Sequence, residues 1–326
     1  MYYNHCNNIN GINSSRRCVF LLLLLILCVL YLEAQQDTIK DKNYTLEFQI
    51  FANANFSHES SQQLKFGYDF KRTLIVYEQQ LTRNFDFCLA GDTYVQTGEK
   101  VYNRRPYLKR AYLQYRHQNL SVSAGLIVLE HFKLQRKIWQ LRYVDKTFQS
   151  KFNYGDNRNI GILLKHKLST RFLYDVAITS GYYTPINNST KNYQFMVGQT
   201  FQADFCTFRL FNSISLNSKL EHVFSLFTTK ELRKSNLSLE IAKKSNHNIL
   251  LDENQYGLSV FGNYSFYKSI LGFVRYDMNK ESITPQAQNV IWAGIQYTFK
   301  KHLNASIYFK NKDLDSNFYG LSIFIH

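Results

Sequence analysis

The 326-residue chain has only three prolines and five cysteines. So little proline leaves room for long uninterrupted strands. Three of the cysteines (Cys6, Cys18, Cys28) fall in the first 34 residues. Cys88 and Cys206 alone remain, which excludes a disulfide framework, and neither has metal-ligand neighbours. Beyond the N-terminus no apolar run approaches the ~18 residues of a membrane helix. Gly-x-Ser-x-Gly, His-Glu-x-x-His, Walker and dinucleotide signatures are all missing, so nothing points to an enzyme, a cofactor or a metal. The net charge of +15 comes without a zinc-finger, helix-turn-helix or RNA-binding motif and is spread along the chain. Nucleic acid is therefore not the expected partner.

Arg16-Arg17-Cys18 leads into "VFLLLLLILCVLYLEAQQ". A charged start, an apolar stretch and a small residue form the layout of a secretory signal peptide. The expected division is 1–34 signal peptide and 35–326 one continuous domain, with no linker or composition break. Removing Arg16, Arg17 and Glu33 leaves a charge of +14. Asn-x-Ser/Thr triplets such as Asn43 and Asn119 are the chance products of an Asn- and Ser-rich chain.

Tyr and Phe number 24 and 26, a composition suited to strands. In "RPYLKRAYLQYRHQNLSVSAGLIV" the apolar residues recur every second place: Ala111, Leu113, Tyr115, then Leu120, Val122, Ala124, Leu126. Arg110, Tyr112, Gln114 and Arg116 fill the other face. Two strands and a tight turn explain the pattern. It recurs from "YTLEFQIFANANF" to "NFYGLSIFIH", giving roughly 16 segments of about 9–14 residues, a length that crosses a bilayer at a tilt. Short turns (Thr82–Asn84, Gln118-Asn119, Ser169-Thr170, Lys300–His302) alternate with longer connections, notably 129–157.

A soluble sandwich and a membrane barrel both alternate. The export signal, the number and length of the segments, and a terminal aromatic-rich strand favour the barrel. That last strand is similar to the signal read by the barrel assembly machinery. The expected fold is all-β: a transmembrane antiparallel β-barrel of about 16 strands, within a range of 12–18.

"LKRAYLQYRHQNLSVSAGLIVLEHF" and "DNRNIGILLKHKLSTRFLYDVAITSGYY", with the strand start Arg158-Asn159-Ile160-Gly161, resemble the phosphate-selective porin O/P family. The resemblance covers about a third of the chain. It implies a trimeric, 16-stranded diffusion channel of a Gram-negative outer membrane, passing small anions such as phosphate. A non-conducting structural or secretion-associated barrel is the alternative, since it shares every strand.

Parity then selects candidate pore-lining cations. With Ala111, Leu113 and Tyr115 toward lipid, Arg110 and Arg116 face the lumen; the same rule selects Lys165, Arg171 and Arg275. A charge facing lipid at the midplane costs ~2–4 kcal/mol, so basic residues belong in the lumen or at the rims. The interval 129–157 is too long for a turn and carries Lys133, Arg136, Lys137, Arg142, Lys146 and Lys151 among aromatic residues. Folded inward, it would narrow the lumen and set its charge preference.

Overall fold

A computed structural model describes residues 43–59, 65–95, 104–180, 193–216, 220–246, 253–284, 286–300, 302–313 and 316–325. The expected signal peptide lies outside these. The strands are β1 Tyr44–Glu59, β2 Lys65–Gln80, β3 Phe85–Val95, β4 Arg104–His117, β5 Leu120–Val128, β6 Arg158–Lys167, β7 Phe172–Ser180 and β8 Tyr193–Gln202. They continue as β9 Thr207–Leu216, β10 Leu220–Glu231, β11 Ser235–Ser245, β12 Gln255–Tyr267, β13 Ile270–Glu281, β14 Gln288–Lys300, β15 Leu303–Lys312 and β16 Ser316–Ile325. Each pairs with its sequence neighbours, and β16 returns to β1 from Ile50↔Ile325 to Glu59↔Ser316. The barrel is closed at sixteen strands, and the last strand supplies the closure.

Two-residue alternation becomes two faces. On β10, Glu221, Val223, Ser225, Phe227 and Thr229 point in and are buried, while Leu220 and Phe224 point out and are exposed. Leu46, Ile162, Ile178, Ile214, Leu237, Ile241, Ile295 and Ile307 continue the exposed apolar face around the wall. Only lipid makes such a band favourable. Connections of two to four residues follow the even-numbered strands, and longer ones follow most odd-numbered strands.

The longest described connection, 129–157, folds into the lumen. It begins with a 3-10 turn, Glu130–Phe132, followed by helices α1 Lys133–Trp139 and α2 Phe148–Lys151. Gln140, at φ 56°, ends α1 in the left-handed region. Ile138, Trp139, Leu141, Tyr143 and Val144 pack against Phe51, Phe227, Phe261, Phe273 and Trp292. Phe148, Phe152 and Tyr154 pack against Met196, Phe211 and Val223 on the β8–β10 wall. The inner wall is aromatic where the segment docks, because that patch faces protein instead of water. Polar tethers hold the segment as well: Tyr143 donates to Gln296 Oε1 (2.8 Å), Tyr154 to Asn279 Oδ1 (2.8 Å), and Gln255 to the Phe152 carbonyl (2.8 Å).

Two β-bulges interrupt the alternation on the β2–β4 wall. On β2, Phe51↔Arg72 is followed by Ala52↔Phe70, leaving Lys71 as an extra residue. On β4, Ala90↔Arg110 is followed by Gly91↔Leu108, leaving Lys109 extra. A bulge brings two consecutive side chains to one face. Lys71 and Arg72 both point inward, as do Lys109 and Arg110. Strict alternation would have sent Lys71 and Lys109 to the lipid, at ~2–4 kcal/mol each near the midplane.

Candidate functional site

The inward segment leans on the far wall and faces β2–β6 across a narrow gap. Arg72 from β2, Lys109 and Arg110 from β4, and Arg158 at the start of β6 form one side. Arg136 of α1 and Arg142 form the other. Among the described residues, one carboxylate pairs directly with this group. Asp92 on β3 accepts from Arg72 Nε at 3.0 Å and from Lys109, and Tyr107 reaches it at 3.5 Å. Arg158 donates to the Tyr107 hydroxyl (3.2 Å) and lies over its ring. Asp92 therefore offsets one of six cations.

That imbalance acts on the segment itself. Burial, and then the charges of Arg72, Arg110 and Arg158, bring the Arg136 guanidinium down to about 10. Burial, and then Arg136, Arg72 and Arg110, hold Arg142 well below the usual arginine range. Among the described residues, Arg110 Nε, Arg136 Nε and Nη2, and Arg158 Nε have no hydrogen-bond partner. Crowded cations with unused donors favour an anion in the gap.

The other candidates divide by position. Lys133, Lys137, Lys165 and Arg171 line a second cavity toward the short-turn end, beside Glu130 and Arg209. Lys133 and Lys165 both pair with Glu130, and Arg209 forms a two-point bridge to Asp175 at 2.9 and 3.0 Å. Lys133 and Lys165, with burial opposing them, hold Glu130 below the usual carboxylate range. Arg116 and Arg171 stand exposed at the short-turn rim, bridged to Asp86 and Asp204.

Arg275 points inward but is closed off. It bridges Asp277 at 2.7 and 2.8 Å, donates to the Lys146 carbonyl at 2.7 Å, and lies between the Trp139 and Trp292 rings. Lys151 sits near Asp145 and Asp277 and over Trp292, while Lys146 is exposed. These three belong to the anchor of the segment. Parity reasoning missed Arg72, Lys109 and Arg158. The Lys-Arg pairs at 71–72 and 109–110 were the available signal, since strict alternation cannot hide both cations from lipid. Cys88 and Cys206 are free, and no group of His, Cys, Asp or Glu among the described residues could hold a metal.

No family model matches this sequence, and no curated protein matches it. Solved structures do match. The anion-selective porin from Comamonas acidovorans aligns over 87% of this chain and 99% of its own, with a TM-score of 0.65 and 9% identity. The Salmonella typhi OmpF complex with daunomycin aligns over 88% and 99%, with a TM-score of 0.64 and 12% identity. OmpT of Vibrio cholerae aligns over 88% and 99%, with a TM-score of 0.62 and 9% identity. The chain is a sixteen-stranded barrel of the outer-membrane porin type. At these identities the likeness is one of fold.

Proposed function

We propose that the chain, after removal of residues 1–34, is an outer-membrane porin that passes small anions in preference to cations. The observation that carries this reading is the convergence of Arg72, Lys109, Arg110, Arg136, Arg142 and Arg158 at the narrowing, where Asp92 pairs with Arg72 and Lys109 alone among the described residues. Rings of Arg or Lys select anions in this way. Phosphate, the solute implied by the resemblance to the porin O/P family, fits a cluster of guanidinium forks. A homotrimer in lipid, assembled through recognition of β16, completes the proposal. A trimer form of Vibrio cholerae OmpT is among the structural matches.

A second reading is favoured by the extent of the segment's docking. Residues 129–157 fill the lumen against Phe261, Phe273 and Trp292, the packing expected of a plug in a non-conducting barrel. Reversal potential in a planar bilayer under a KCl gradient separates the two. Chloride-preferring current supports the proposal. Cation preference overturns the role of the cluster, and a folded barrel without current supports the plug.

A further inference from the structure

The short-turn end carries a second concentration of positive charge, outside the lumen. Lys230 lies on the outward face of β10, opposite Leu237 of β11. Arg233 and Lys234 form the turn to β11, and Lys268 the turn from β12 to β13. The two turns are neighbours, because Ser265 of β12 donates its N–H to the Lys234 carbonyl at 2.7 Å. All four cations are exposed, and none has an ion pair among the described residues. Glu231 is the exposed carboxylate beside them.

Immediately below this charge, the outer wall is aromatic. Tyr264 and Phe266 stack edge to face at 5.0 Å, and Tyr297 and Phe299 do so at 4.6 Å; all four are exposed, as are Tyr267, Leu232 and Leu237. A bulge leaves Phe266 extra between the Ser265↔Leu271 and Tyr267↔Ile270 pairs, and its ring lies over Gly272 of β13. A side chain on Gly272 would displace that ring.

We infer that Lys230, Arg233, Lys234 and Lys268 form a site for the headgroup of an anionic phospholipid, with its acyl chains on the Tyr264–Phe299 surface. Lys230 decides between lipid and other anions. Its stem starts on the lipid-facing surface, so its ammonium reaches polar surroundings at the headgroup level. Aromatic rings mark that level, and basic side chains beside it attract acidic lipids. In outer-membrane barrels the short turns face the periplasm, so the bound lipid belongs to the inner leaflet.

The site stands apart from the lumen and does not depend on the channel conducting. The test is native mass spectrometry of the refolded full chain in detergent with equal phosphatidylglycerol and phosphatidylcholine. The folded protein should retain phosphatidylglycerol preferentially, by roughly fivefold per engaged charge. The variant K230Q/R233Q/K234Q/K268Q should lose the preference, and R83Q, at another turn, should keep it. Heat-modifiable gel mobility confirms that each variant is folded. Should the fourfold variant fail to fold, K230Q alone should lower the preference. Equal retention of the two lipids, or a preference unchanged in a folded variant, overturns the proposal. Displacement of the lipid by inorganic phosphate alone would reassign the cluster to free phosphate. An oligomer lost in the variant without any lipid preference would reassign it to a second copy of the chain.

Discussion

Arg72 donates to Asp92 at 3.0 Å across β2 and β3, and Lys109 closes on the same carboxylate from β4. Three adjacent strands are thus tied by one acid. Both cations depend on a bulge for the pairing of their strand, one at Lys71 and one at Lys109 itself.

Replacing Asp92 with Asn should therefore act twice. It removes the carboxylate paired with two of the six cations, so the anion-to-cation permeability ratio should rise. It also leaves buried cations unpaired, at a cost of about 3–5 kcal/mol. Reversal potential reads the first effect and the gel-shift melting midpoint reads the second. A lower permeability ratio would contradict the assignment.

Arg110 and Arg116 share a strand face but should behave differently. Glu at both Arg110 and Arg136 should turn chloride preference into cation preference. Arg116→Glu should barely move the reversal potential, because Arg116 is an exposed rim residue beside Asp86, where water and salt screen charge over ~10 Å.

Arg275→Met should loosen the inward segment. The change leaves Asp277 with only Ser259 and the more distant Lys151, and removes the donor to the Lys146 carbonyl. Breaking a buried pair from one side costs about 3–5 kcal/mol. Larger, noisier single-channel conductance and faster tryptic cleavage within 129–157 are expected. Unchanged cleavage would mean that the aromatic packing of Trp139 suffices alone.

Asp156 supplies a pH dependence. Burial at its place in the lumen, reinforced by Glu221 against the pull of Lys244 and Arg158, pushes its carboxyl from 3.8 up to about 7. The native state thus holds this proton more tightly than the unfolded chain. Its contribution is fully present below pH 3.8 and is lost as pH rises through about 7. Asp156→Asn should stabilise the protein at pH 8 by on the order of 1–2 kcal/mol, read as a higher melting midpoint, and much less at pH 5. Equal gains at both pH values would refute the assignment.

The barrel was legible because a lipid-facing strand must show its apolar residues at every second place, and sixteen such segments leave few alternatives. The site was only half legible. Parity brought Arg110 inward and the length of 129–157 marked it as a constriction candidate, but the bulges at Lys71 and Lys109 have no period of their own. Their trace was energetic: two adjacent cations within an apolar strand. Phe261 and Phe273 could not be told from lipid-facing aromatics, since protein and lipid ask for the same residue type. Arg275 was placed on the correct face, yet Asp277 two places on turns it from an open charge into an anchor.

The docking of residues 129–157 also has a consequence in time. Most of its seats lie on strands that follow it in the chain, from Met196 of β8 to Tyr308 of β15, with Phe51 of β1 besides. Phe148 and Tyr154 rest on a floor that exists only because Gly257 of β12 has no side chain. All of these surfaces but Phe51 become available only when the later strands are in place. The narrowing is therefore a late event of biogenesis, and a barrel caught before it would be the widest form of this protein.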